Sequence, residues 1–295
     1  LQWRVGVLGA SSLVGECLLP LLADADWQVV AYSRGAPGHG VDGVEWRQLP
    51  LAESPSPQPS PQRGEGVTSH WICVAPIWVL PNYFSLIEAA GARRIAVLSS
   101  TSRFTKVGSG DTAENAIAVR LIDGEASVRE WAASRGIEWV ILRPTLIYGY
   151  GRDKNIAEIA RWVRRFGFFP LLGKALGLRQ PVHADDVAAA CVAALLSPVA
   201  GNSAYNLSGG ETLAYREMVE RIFAAMNRRA RLVTIPLSVF RLVIGCLRWL
   251  PRYQHWSAAM AERMNRDLVF EHSDAARDLN FSPRPFQLSA EDLPT

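Results

Sequence analysis

The stretch VGVLGASSLVG, residues 5–15, joins an apolar run to a helical one through a turn that carries Gly9. Where a strand enters a helix in this way, glycines let the backbone come close to a pyrophosphate seated on the helix N-terminus. Gly9 and Gly15 stand at the first and third places of a GxxGxxG turn, and Ser12 takes the middle one. A serine there is small, and its hydroxyl offers a contact to phosphate. The pattern alone matches many tight turns. After the first strand of an alternating chain it constrains the fold strongly, and it assigns Gly9, Ser11, Ser12, Leu13, Val14 and Gly15 to a phosphate cradle.

The chain does alternate. Apolar, β-branched runs at 3–10, 27–34, 70–76, 94–100 and 137–144 read as strands, and 13–24, 81–92, 126–136 and 183–196 read as helices. Continuous apolar strands between helices imply a parallel sheet covered on both faces, an α/β doubly wound Rossmann-type fold. Pro20 is expected to kink the first helix. Beyond residue 210 the pattern turns mostly helical, which implies a smaller second domain at the C-terminal end. The expected division is a dinucleotide-binding domain over 1–151 and 182–209, with 152–181 and 210–295 forming the second. Residues 52–66, with Pro55, Pro57, Pro59 and Pro61, read as a disordered Pro-rich insertion.

A net charge of +3 over 295 residues is too small and too dispersed to point to nucleic acid. Cys17, Cys73, Cys191 and Cys246 are far apart, form no CxxC pair and read as small buried hydrophobes in a reducing compartment. No metal-ligand spacing and no signal peptide are visible, which favours a cytoplasmic protein. The apolar stretch PLSVFRLVIGCLRWLP, 236–251, is too short to span a bilayer and contains Arg241 and Arg248. A helix packed on its own domain is preferred over an interfacial one.

The second strand ends in AYSRG, with no acid and with Ser33 and Arg34 in reach of a ribose. An acid at this place suits a 2′-hydroxyl, whereas a guanidinium matches a 2′-phosphate. NADP(H) is therefore the expected cofactor, with NAD(H) as the alternative.

Further motifs follow in order: LSSTS (98–102), LRPTLIYGYG (142–151), RQPVHADDVAAA (179–190), YNLSGGETLAYREMV (205–219) and the ending NRDLVFEHSDAARDLNFSPRPF (265–286). With GASSLVG they resemble the extended short-chain dehydrogenase/reductases, the NAD(P)-dependent epimerase/dehydratase family, over nearly the whole chain. The resemblance implies a Rossmann domain with a smaller, mostly helical C-terminal substrate domain, a nucleotide-sugar substrate processed by transient hydride transfer, and dimerisation through a four-helix arrangement. It implies that Ala75, Pro76, Ser99, Ser100, Pro144 and Thr145 line the cofactor. It places Thr101 against the reacting hydroxyl, and Trp78, Arg143, Tyr148 and Arg179 toward the substrate. His183 reads as ordering the loop before its helix, and Asp185 with Asp186 as capping it.

Members of that family carry a Tyr, a Lys four residues on, and a Glu four further on, all in one helix. The Lys ammonium lowers the Tyr pKa so that the phenol can take a proton from a sugar hydroxyl. Glu125 fits the Glu, because it lies 18 residues before Arg143. The same register puts Ile117 at the Tyr and Leu121 at the Lys. Three readings follow: a catalyst using Asp111, Glu114, Asp123 or Thr101; an NADP(H)-binding module that reports to a partner; and an assembly protein on an epimerase scaffold.

Overall fold

The computed structural model describes residues 3–35, 42–49, 67–108, 111–240 and 258–294. Seven parallel strands form the central sheet: β1 (Arg4–Leu8), β2 (Gln28–Ser33), β3 (Val44–Gln48), β4 (His70–Cys73), β5 (Arg94–Leu98), β6 (Glu138–Pro144) and β11 (Ser203–Leu207). Their spatial order is β11-β6-β5-β4-β1-β2-β3. The order reverses between β1 and β4, which pair in register from Val5↔His70 to Leu8↔Cys73. In a doubly wound sheet the crevice at the strands' carboxyl ends opens at that reversal, because the flanking connections leave in opposite directions.

Two helices cover one face: α1 (Leu13–Asp24) and α6 (Ala184–Leu196), which bury Leu18, Leu22, Val187 and Ala194 against Val5, Val7 and Val140. The other face is covered by α2 (Phe84–Ala89), by α4 (Thr112–Arg135) and by the 3-10 turn Ile77–Tyr83. There Ile77, Leu80, Leu121, Val128 and Trp131 pack on Trp71, Ile95 and Val97. The strands are apolar on both sides because both faces are covered, the signature that runs such as RVGVL and RIAVL carry.

A third core lies apart from the sheet. It gathers Ile156, Ala160 and Val163 of α5 (Ile156–Phe166) with Met218, Val219, Ile222 and Phe223 of α7 (Tyr215–Ala225). Strand β8 (Phe169–Leu172) pairs in parallel with β13 (Leu232–Ile235) beside them.

Several elements depart from the sequence expectation. Helix α1 runs unbroken through Pro20, which is exposed. Helix α4 begins at Thr112 rather than 126, capped by Asp111, whose carboxylate accepts from Ala113 N at 3.0 Å and Glu114 N at 3.3 Å. Such a cap satisfies amides that the first turn leaves open, so the helix starts where the cap stands. The helix expected over 81–92 opens as a 3-10 turn at Ile77. Strand β3, a short edge strand, was not anticipated from its polar alternation. Cys73 and Cys191 are buried, whereas Cys17 is only partly so. Burial pushes the thiols of Cys17 and Cys73 up to about 12, with Asp185 adding to the effect at Cys17. The Pro-rich stretch 52–66, Cys246 and residues 241–251 of the apolar stretch lie outside the described residues.

Candidate functional site

The turn after β1 lies at the strand-order reversal. Gly9 has φ +83°, and a Cβ built on it would stand 2.5 Å from Ala75 N. Only glycine fits, because the left-handed backbone and the close approach of β4's exit both exclude a side chain. At Gly15 a Cβ would meet Ala10 O at 2.5 Å, so α1 leaves the turn in direct contact with it. The amide N–H groups of α1's first turn thus face the crevice, with the positive end of the helix dipole behind them. Ser12 is the N-cap: its Oγ accepts from Gly15 N at 3.1 Å. Its hydroxyl therefore serves the helix first.

At the end of β2, Ser33 is buried and its Oγ lies 3.2 Å from Ser11 Oγ and 3.2 Å from Gly35 N, which donates to it. Arg34 follows, exposed. Two hydroxyls and a guanidinium, with no carboxylate among residues 31–35, form a surface suited to an anionic group.

Ala75, Pro76 and Trp78 leave β4 on the other side of the reversal, and Trp78 is exposed. Ser99, Ser100 and Thr101 leave β5. Thr101 is buried, and both its backbone N–H (3.1 Å) and its Oγ1 (3.2 Å) donate to Pro144 O. A hydroxyl has one proton to donate, so Thr101 keeps only acceptor capacity for a ligand. Thr145 Oγ1 is likewise bonded, to Gln180 O.

The spacing argument for α4 is a matter of one helix face. Ile117, Leu121 and Glu125 lie within a single continuous helix, one turn apart. Leu121 is a core residue and Ile117 packs against the same cluster. No phenol or ammonium occupies either place. Glu125 is fully buried, and its carboxylate takes Ser99 Oγ at 2.7 Å, Arg143 Nε and Nη2 at 2.9 and 2.6 Å, Arg129 Nη2 at 2.9 Å and Arg103 Nη1 at 2.8 Å. Burial alone raises a carboxyl pKa, but here the bonds from Arg143 and Ser99 and the charges of Arg143 and Arg103 outweigh it and hold Glu125 below its usual range. The cluster keeps an excess of guanidinium charge, spread over Arg103 and Arg143 above the Phe104 ring and Arg129 above Trp139. Arg103 and Arg129 were not read from sequence; the signal available was Arg129 four residues after Glu125.

The remaining candidates are held by the fold as follows. Tyr148 is fully buried, its hydroxyl donating to Gln287 O at 3.3 Å. Arg179 is buried too, and its guanidinium donates to the carbonyls of Leu178 (2.7 Å), Arg266 (2.8 Å) and Arg263. Arg143 serves Glu125. Among the carboxylates, Asp111 caps α4, Glu114 pairs with Arg263, and Asp123 is exposed. The cap of α6 is His183 rather than Asp185 or Asp186: its Nδ1 accepts from Asp185 N at 3.2 Å, which leaves Nε2–H to donate to Asp292 Oδ1 at 3.0 Å. Imidazole reaches the amide because His183 stands at the N-cap, two residues before Asp185 and three before Asp186. Asp185 instead accepts from Tyr150 OH at 2.9 Å, and Asp186 from Arg284 Nε at 2.9 Å. These contacts tie the C-terminal segment to the sheet domain.

Residues 82–208 match the model of the NAD dependent epimerase/dehydratase family. The chain is 30% identical over 164 residues, 55% of its length, to an uncharacterised protein of Sinorhizobium fredii, of which it spans 40%. It is 29% identical over 121 residues, 41% of its length, to the mitochondrial NADH dehydrogenase 1 alpha subcomplex subunit 9 of Arabidopsis thaliana, of which it spans 30%. The chain thus spans less than half the length of these relatives. Among solved structures it superposes on epimerase Mth375 of Methanothermobacter thermautotrophicus with a TM-score of 0.70 and 15% identity, over 99% of this chain and 89% of that one. On MoeE5, solved with UDP-glucose and NAD, the TM-score is 0.66 at 19% identity, over 96% and 94% of the two chains. At these identities the superpositions establish the fold.

Proposed function

We propose that this protein, whose residues 82–208 match the model of the NAD dependent epimerase/dehydratase family, binds NADP(H) in the β1/β4 crevice and binds a nucleotide sugar without that family's Tyr–Lys proton transfer. The observation that carries the reading is the contrast between a retained cradle and a filled acid–base position. Gly9, at φ +83° and packed on Ala75 N, keeps the β1–α1 turn tight, and such a turn offers the first amides of α1 to a pyrophosphate. Leu121, 4% exposed, is packed into the core where an ammonium would have to stand.

In this reading Gly9 to Gly15 hold the phosphates, Ser11, Ser33 and Arg34 grip the 2′ position, and Pro144 with Thr145 lines the nicotinamide end. Bound nicotinamide supplies a hydride acceptor. Thr101 positions a substrate hydroxyl by accepting from it, yet a neutral threonine whose own proton is committed to Pro144 O does not remove that proton. A slow or altered reaction, rather than ordinary epimerase turnover, is what such a site supports.

A second reading is a non-catalytic NADP(H) sensor or assembly protein. It is favoured by the engagement of Glu114 with Arg263 and of Asp111 with the α4 amides, which leaves neither free as a base. By its printed name the Arabidopsis relative is a subunit of a larger dehydrogenase.

Titration of the cofactor-stripped protein with NADPH and NADH, followed by Trp-to-nicotinamide energy transfer, tests the proposal. Tight NADPH and weak NADH binding is expected. Arg34→Ala is expected to lose about 10-fold or more in NADPH affinity, from a charge-assisted bond of about 1.5–3 kcal/mol, with NADH unchanged. Absence of binding by either dinucleotide sinks the proposal. Turnover of nucleotide sugars at ordinary epimerase rates sinks its catalytic half.

A further inference from the structure

The net charge of +3 is not evenly spread. Helix α5 ends in Arg164, Arg165 and Phe166, and the turn after α7 carries Arg228, Arg229 and Arg231. The fold brings these two places together. Arg228 Nη1 donates to Val163 O at 3.1 Å and Arg164 O at 3.4 Å, and Leu232 pairs opposite Phe169 where β13 joins β8. Arg164, Arg165, Arg229 and Arg231 are exposed, and among the described residues no carboxylate pairs with any of them.

Apolar side chains lie exposed on the same elements. Phe166, at the end of α5, is 48% exposed, and Val233 of β13 is 48% exposed. Arg165 lies over the Phe166 ring at 5.2 Å, and Trp162 and Phe168 flank that ring at centroid distances of 4.6 and 6.5 Å. Helix C-termini favour basic residues, which accounts for Arg164 and Arg165. It does not account for Arg229 and Arg231 in the connector, or for apolar side chains left in water.

The acids of these elements stand elsewhere: Glu158 in the first turn of α5, Glu217 in the first turn of α7 and tied to Arg221, and Glu220 midway along α7. From Arg221 to Ala261 the sequence contains no Asp or Glu. Unpaired guanidiniums interleaved with ring and aliphatic side chains match a lipid surface with anionic headgroups. The guanidiniums meet phosphate, and the apolar groups enter the headgroup–acyl boundary. Nucleic acid would satisfy the guanidiniums but not Val233, an aliphatic side chain with no ring to stack on a base. We infer that this face docks the chain on the surface of a membrane rich in anionic lipid. The face comprises residues 162–168 and 228–233, apart from the membrane contact through 236–251 that the sequence reading set aside. The inference is independent of the cofactor proposal.

The test is co-sedimentation of the full chain with vesicles of phosphatidylcholine and phosphatidylglycerol, against phosphatidylcholine alone. Association with the anionic vesicles only is expected, weakening as salt is raised. Changing Arg164, Arg165, Arg229 or Arg231 to Gln is expected to lower partitioning about fivefold each, the factor that about 1 kcal/mol per charge at a lipid surface gives. Phe166→Ser lowers it at constant charge. Arg120→Gln, exposed on α4, leaves it unchanged, and unaltered melting curves show that the variants are folded. The inference is overturned by no association at low ionic strength, by equal association with neutral vesicles, by an equal loss in Arg120→Gln, or by tighter binding to duplex DNA than to the anionic vesicles.

Discussion

Glu125→Gln changes one oxygen in the most heavily bonded carboxylate of the site. The side chain keeps its shape and its place at 0% exposure, but it loses the charge that three guanidiniums share. Removing one partner of a buried ion pair costs about 3–5 kcal/mol, since the charge left behind is neither solvated nor paired. Arg103 and Arg143 are 17% and 11% exposed, whereas Arg129 is 36% exposed and its charge is partly taken up by water. The lower end, about 3 kcal/mol, is therefore the expectation, or a fall in Tm of about 6 °C for a chain this long. Arg143→Gln should cost less, because Glu125 keeps Arg103 and Arg129, and Arg129→Gln should cost least.

The pH dependence gives a second reading of the same number. The folded pKa of Glu125 lies below its ordinary value. Its contribution is thus complete above the unfolded pKa of about 4.3 and is lost as pH falls through the folded value. Thermal melts of wild type and Glu125→Gln should accordingly converge on acidification. A variant that melts with wild type at neutral pH, or a gap that widens in acid, refutes the reasoning.

Three further outcomes are expected. Gly9→Ala should abolish dinucleotide binding and cost about 1–3 kcal/mol, since alanine is strained at φ +83° and its Cβ meets Ala75 N; energy-transfer titration and melting check both. Ile117→Tyr with Leu121→Lys should lose stability and gain no epimerase turnover, because the lysine enters an apolar core; recovered turnover in a stable double variant would contradict this. Asp292→Asn should speed amide exchange over 285–294, measured by mass spectrometry. Burial acts to raise the Asp292 pKa, but bonds from His183 and Ser289 and from the Tyr150 amide depress it well below its usual range. The stabilisation it gives is therefore present above about pH 3.9 and lost as pH falls through the folded value.

The geometry of the β1–α1 turn was legible because its requirements are local. A glycine at the end of β1, a small middle residue and a glycine inside α1 are dictated by one turn, so Gly9, Ser12 and Gly15 could be named from eleven residues. Both-face burial makes strands apolar throughout, which is why β1, β2, β4, β5 and β6 were found and polar, half-covered β3 was not. The role of Ser12 as a cap, and of His183 in place of Asp185, turned on which side chain reaches an amide, and spacing alone does not decide that.

By itself the sequence determined the parallel sheet, the glycine turn between β1 and α1, and the absence of a Tyr and a Lys at 117 and 121. These are facts of periodicity and identity, carried by residues close in the chain. Tertiary structure decided what packs around Ile117 and Leu121 and how the charge beside Glu125 is balanced. Arg103, Arg129 and Arg143 converge on Glu125 from three elements, and Arg228 joins the connector after α7 to the end of α5 through the carbonyls of Val163 and Arg164. Charge and burial are sums over neighbours in space, and no stretch of chain holds such a sum before it folds.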